Sequence, residues 1–97
     1  MDDPVTTTDL YESCYYLLNG CELASIQCIK INGKITCRMS FRGENIAGLQ
    51  LEYFHGRAEA NLFDFRRTFG QVYSLVNNEK KKAKRQQHEA QQQGGLQ

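Results

Sequence analysis

The apolar positions change period along the chain, from about 3.6 to 2 and back, and each period predicts an element. Leu10, Cys14, Leu17, Leu18 and Cys21 fall at i, i+4, i+7, i+8 and i+11, one stripe of an amphipathic helix. Thr6-Thr7-Thr8-Asp9 offers capping oxygens before it, and Asp9 and Glu12 put negative charge where the helix dipole favours it. Leu18-Asn19-Gly20 ends the helix, with Gly20 suited to the left-handed position that comes next. Tyr11, Tyr15 and Tyr16 flank the stripe, a placement that predicts rings buried at its edges and hydroxyls reaching water. Residues 1–6 are polar and predicted to be loose.

Period 2 comes next. Asn32-Gly33 between two runs rich in Ile, Thr and Cys is the signature of a two-residue hairpin with a type I′ turn. That turn sets the register: Ile31 opposite Lys34, then Lys30–Ile35, Ile29–Thr36, Cys28–Cys37, Gln27–Arg38, Ile26–Met39, Ser25–Ser40 and Ala24–Phe41. Paired residues share a face. Ala24, Ile26, Cys28, Ile35, Cys37, Met39 and Phe41 make a dry face; Ser25, Gln27, Ile29, Ile31, Lys34, Thr36, Arg38 and Ser40 make a mostly wet one. Cys28 and Cys37 then oppose each other in a non-hydrogen-bonded pair, α-carbons roughly 4.5 Å apart. That is the short limit of disulfide geometry, and the expectation is free thiols packed together.

Helical spacing returns after Gly43-Glu44-Asn45, with Ile46, Leu49, Tyr53 and Phe54 ending at Gly56. Gly48 weakens that helix by about 1 kcal/mol relative to Ala. Asn61 is placed to cap a third helix, with Asp64 in its first turn and a stripe of Leu62, Phe65, Phe69, Val72 and Val76 widened by Phe63 and Tyr73. No apolar stripe continues past Asn77. Lys80-Lys81-Lys82-Ala83-Lys84-Arg85 and a glutamine-rich stretch are good helix formers without a core, so residues 77–97 are predicted as a basic helical extension or a disordered tail stopped at Gly94-Gly95. The order is helix, two-stranded antiparallel hairpin, helix, helix: a small α+β domain over residues 7–76. A two-stranded ribbon needs its dry face covered, and a core this small gains from a second copy or a partner.

A resemblance accompanies this pattern. Thr8-Asp9-Leu10-Tyr11, Tyr16-Leu17-Leu18-x-Gly20, the Asn32-Gly33 hairpin, Phe41 and Tyr53-Phe54-x-Gly56 resemble a family of small domains of unknown function that open with a T-x-D-L-Y segment. Its members come from bacteria, archaea and their mobile elements. The likeness covers residues 7–76 and implies architecture and a prokaryotic or phage context, with no activity to transfer.

Composition narrows the function. The net charge of +1 hides a body, residues 1–76, with seven basic and nine acidic residues, and a tail with five and two. This is neither a uniformly basic nucleic-acid binder nor an acidic DNA mimic. No apolar run approaches the ~20 residues of a membrane span, and Met1-Asp2-Asp3-Pro4 is acidic where a secretory leader is basic. Cys14, Cys21, Cys28 and Cys37 lack zinc-knuckle spacing, and His55 and His88 add no ligand motif. The expectation is therefore no metal, no cofactor, and reduced core cysteines in a reducing compartment such as the cytoplasm. No nucleophile elbow, phosphate loop, dinucleotide fingerprint or zinc-protease motif occurs, which predicts a non-enzyme.

Two binding readings remain. Lys34, Arg38 and Arg42 lie along the second strand, Arg66 and Arg67 on the third helix, and Lys80, Lys81, Lys82, Lys84 and Arg85 in the basic run. They suit DNA or RNA, with salt-sensitive phosphate contacts from the run and positioning by the hairpin's wet face. A solvated helix face is the bland reading of the same run. Alternatively, Tyr11, Tyr15, Tyr16, Ile29 and Ile31 suit a protein partner or second copy, as in an adaptor, an inhibitor or a small subunit of a larger prokaryotic or phage complex.

Overall fold

Six elements succeed one another: β1 (Val5–Thr7), α1 (Leu10–Leu18), β2 (Glu22–Ile31), β3 (Lys34–Arg42), α2 (Ile46–Phe54) and α3 (Leu62–Gly95). A computed structural model describes the backbone of residues 3–95 and the side chains of residues 3–85. The glutamine-rich stretch beyond Arg85 lies outside the residues whose side chains are described. The class is α+β: one antiparallel sheet in the order β1-β3-β2, and three helices.

The hairpin turns at Asn32 and Gly33, both at positive φ (52° and 82°), as a type I′ turn requires. Every expected pair from Ile31–Lys34 to Ser25–Ser40 is present. The register departs only at the root. A bulge between Leu23 and Ser25 leaves Ala24 exposed and sets Leu23, not Ala24, opposite Phe41. The extra residue turns the larger apolar side chain onto the core face.

The hairpin is also not alone. Val5–Thr7 adds a third strand, with Val5 opposite Phe41, Thr6 opposite Ser40 and Thr7 opposite Met39. Residues 5 and 6 belong to the segment expected to be loose. Val5 and Thr7 are buried and Thr6 is exposed, so the strand alternates, over a length too short for periodicity to announce it.

Two of the cysteines contradict the expected free thiols. Cys28 and Cys37 are joined as a disulfide, with α-carbons 4.0 Å apart, while Cys14 and Cys21 are free and buried. The directly opposed pairing that suggested packed thiols brings the sulfurs within bonding reach. The inference of a reducing compartment therefore loses two of its four cysteines.

The core lies between the sheet and the helices. Tyr16, Phe41, Met39, Ile46 and Cys14 are its most deeply buried apolar members, joined by Val72 and Val76 of α3. The Tyr16 and Phe41 rings meet at 5.6 Å. Helix α1 touches the sheet, α2 and α3, so burial spreads around it rather than along one stripe. Leu10, Leu17 and Leu18 are only half-buried, whereas Glu12, Ser13, Tyr15 and Tyr16 are buried.

That burial is supported by hydrogen bonds. Asp9 caps α1, accepting from the backbone N–H of Tyr11 at 2.8 Å and of Glu12 at 3.3 Å, and its other carboxylate oxygen accepts from the Tyr53 hydroxyl at 2.8 Å. Glu12, 4% exposed, accepts from the Thr7 hydroxyl at 2.8 Å and the Tyr16 hydroxyl at 2.5 Å. Among the described residues no buried side-chain nitrogen or oxygen lacks a partner.

Two further details position α2 and α3. A Cβ at Gly43 would stand 2.8 Å from Cys21 Sγ and 3.2 Å from its Cα, so a side chain there would crowd Cys21 where the chain leaves β3. Asn61 caps α3 as expected, accepting from the N–H groups of Phe63 at 3.0 Å and Asp64 at 3.1 Å. Leu62, assigned to the apolar stripe, is instead 84% exposed in the first turn. The stripe that packs begins at Phe65.

Candidate nucleic-acid interface

The hairpin, residues 22–42, contains Lys30, Lys34, Arg38 and Arg42 against the single acidic residue Glu22 at its root, so it is locally cationic within an acidic body. Strand β1 pairs only with Met39–Phe41. From Gln27 and Arg38 to the turn, β2 and β3 therefore form a two-stranded ribbon. On its outer face a shallow depression of about 510 Å³ is lined by Thr6, Ser25, Gln27, Arg38 and Ser40. Thr6 and Ser40 share a hydroxyl hydrogen bond at 3.3 Å. Arg38 is exposed and lies in no ion pair among the described residues.

At the tip the ribbon meets α3. Val72, Val76, Lys80 and Lys84 succeed one another at intervals of four, so they share one helix face. Val72 and Val76 are buried against the sheet, and the Val76 carbonyl oxygen lies 3.9 Å from Cys37 Sγ. One turn further the same face carries Lys80, then Lys84. These two line a groove of about 460 Å³ with Lys30, Gly33, Lys34 and Ile35. Four lysines thus line one groove, and among the described residues no carboxylate lines it.

The sequence pattern does not single out Lys30. Its pairing with Ile35 puts it on the dry side of the ribbon, which passes for core until the i+4 continuation of Val76 into Lys80 is noticed.

The other cations are not gathered here. Arg42 lies at the root of β3, 4.0 Å from Glu22. Arg67 pairs with Asp64 at 3.2 Å, and along the helix Arg66 and Arg67 are ~20 Å from Lys80. The basic run itself divides. Lys81, Lys82 and Arg85 border a separate depression of about 300 Å³ with Leu75, Asn78 and Glu79, where Lys82 pairs with Glu79 at 3.3 Å.

The tyrosines separate as well. Tyr15 and Tyr16 are both buried and neither forms a surface anchor. The Tyr16 hydroxyl, expected to reach water, is instead enclosed and bonded to Glu12. Tyr11 is exposed and stacks on Phe65 and Phe69 of α3 at 5.9 and 5.3 Å; Phe69 stacks in turn on Tyr73 at 6.1 Å. Ile31 is exposed at the ribbon tip, while Ile29 is half-buried.

No protein-family model, curated protein or solved structure matches the chain. Burial pushes the Cys14 thiol up to about 11, with the Asp9 charge adding to the rise. Burial raises the Tyr53 hydroxyl to about 12, assisted by its hydrogen bond to Asp9. The Tyr16 hydroxyl is raised further, by burial and then by its bond to Glu12. These shifts hold the groups neutral and suit packing. Among the described residues no cluster of three His, Cys, Asp or Glu is disposed to bind a metal, and no helix is long and apolar enough to cross a membrane.

Proposed function

We propose that this protein is a non-enzymatic accessory module that associates with nucleic acid by holding backbone phosphates in the groove between the ribbon tip and α3. The observation that carries this reading is the convergence of Lys30, Lys34, Lys80 and Lys84 on one groove, with no counter-charge among the described residues that line it. Like charges brought together repel, and an anion in the groove relieves that repulsion. Repeated phosphates suit a groove lined by several cations, and the affinity gained comes with release of condensed counterions.

The test is the affinity of mixed-sequence oligonucleotides for the wild type and for K30Q/K34Q/K80Q/K84Q. The expected result is a loss of about tenfold or more at low salt, similar for every sequence. Equal affinity in the two proteins, or no binding by either, overturns the reading.

A second reading, a protein adaptor or self-associating subunit, draws on the stacked row in which exposed Tyr11 and Tyr73 adjoin half-buried Phe65 and Phe69, since aromatic side chains are favoured interface anchors. Sedimentation of the purified chain, alone and with candidate complexes, tests it.

A further inference from the structure

Resting on the phosphate-binding reading above, we infer that the partner is double-stranded DNA, and that the outer face of the β2–β3 ribbon enters its major groove with Arg38 and Gln27 contacting base edges.

Width comes first. The major groove of B-form DNA is about 12 Å wide and admits a two-stranded β-ribbon. Because β1 stops at Thr7 opposite Met39, the chain is two strands wide from the Gln27–Arg38 pair outward. The helices pack on the opposite face, where Cys37, Met39 and Phe41 are buried, and leave the outer face open.

The side-chain types on that face come second. Arg38 lies directly opposite Gln27, flanked by Ser25 and Ser40 on one side and Thr36 on the other. An arginine fork matches the O6 and N7 acceptors of guanine, a glutamine amide matches N6 and N7 of adenine, and hydroxyls bond to either. Arg38 is free to make such a contact, because no carboxylate among the described residues pairs with it. Nor is any outer-face position of the ribbon aromatic, so the face offers no platform on which single-stranded bases stack. Duplex RNA hides its base edges in a deep, narrow major groove that side chains do not reach.

Placement of charge is third. Lys34 stands four residues from Arg38, ~13 Å along β3, a span comparable to the groove. With Arg38 and Gln27 between the walls, Lys34, on the same face of the ribbon, lies against a phosphate strand. The lysine groove then anchors, and the ribbon reads.

Selection from a DNA duplex pool with a randomised core, at fixed moderate salt, tests this. The expected outcome is enrichment of a motif containing guanine and adenine, bound about tenfold or more tighter than the starting pool. R38A and Q27A should each erase most of that preference by weakening the selected duplex more than the pool, and R38K should not restore it. Salt-sensitive binding without enrichment, or equal weakening of selected and unselected duplexes by R38A, overturns the base-reading role and leaves the phosphate reading standing. Equal affinity for an RNA duplex of the selected sequence likewise overturns it. Absence of binding to any nucleic acid overturns both.

Discussion

Cys28 and Cys37 face each other across β2 and β3, their α-carbons 4.0 Å apart, and are joined as a disulfide in the middle of the ribbon. The bond ties the two strands between the Gln27–Arg38 pair and the tip, against the Val76 turn of α3. Peptide mapping without reductant should recover Cys28 linked to Cys37, with Cys14 and Cys21 unmodified by alkylating reagents until the chain is unfolded. Closing so short a loop contributes about 2–3 kcal/mol, which reduction should remove. A bridge involving Cys14 would contradict the register.

The buried Glu12 carboxylate is held by two hydroxyls and, among the described residues, by no cation. Replacing it with Ala leaves the Thr7 and Tyr16 hydroxyls without their acceptor inside the core. Glu12→Ala should therefore cost about 3 kcal/mol, and Tyr16→Phe about 1–3 kcal/mol through the donor lost to Glu12. Urea unfolding checks both, as a lower midpoint with the slope retained.

Alkaline pH should unfold the protein in a defined window. Cys14, Tyr53 and Tyr16 all hold their protons more tightly when folded than when unfolded. The stability they contribute is complete below their unfolded values, 9.0 for the thiol and 10.0 for the hydroxyls. It is lost as pH rises through about 11 for Cys14 and about 12 for Tyr53. Thermal midpoints should thus show no change from these groups between pH 7 and 9 and should fall steeply above pH 10. Tyr53→Phe should flatten the upper part of that fall.

Much of this fold can be read from the sequence because its signals are local. Asn32-Gly33 dictates the turn, the turn dictates the register as far as Ser25–Ser40, and Gly20, Gly56 and Asn61 mark helix ends by their own backbone or side-chain chemistry. What escapes is tertiary. Three residues of β1 carry no period. The bulge at Ala24 depends on which apolar residue Phe41 prefers to face. Tyr16 and Glu12 are buried because α1 is covered on several sides, a fact no single stripe records.

The candidate site divides in the same way. Lys34, Lys80 and Lys84 stand out as cations in the sequence, but their convergence with Lys30 requires α3 to pass beneath the ribbon tip. Arg66 and Arg67, equally basic on paper, fall at the other end of the packed part of that helix.

The most direct test of the central claim is the salt dependence of binding to a short DNA duplex, measured for the wild type and for K30Q/K34Q/K80Q/K84Q with their thermal unfolding matched. Four phosphate contacts correspond to a contribution of about −3.6 to the slope of log affinity against log salt. The variant's slope is expected to be shallower by roughly that amount. A wild-type slope near zero, or identical slopes in the two proteins, would contradict the phosphate-binding groove.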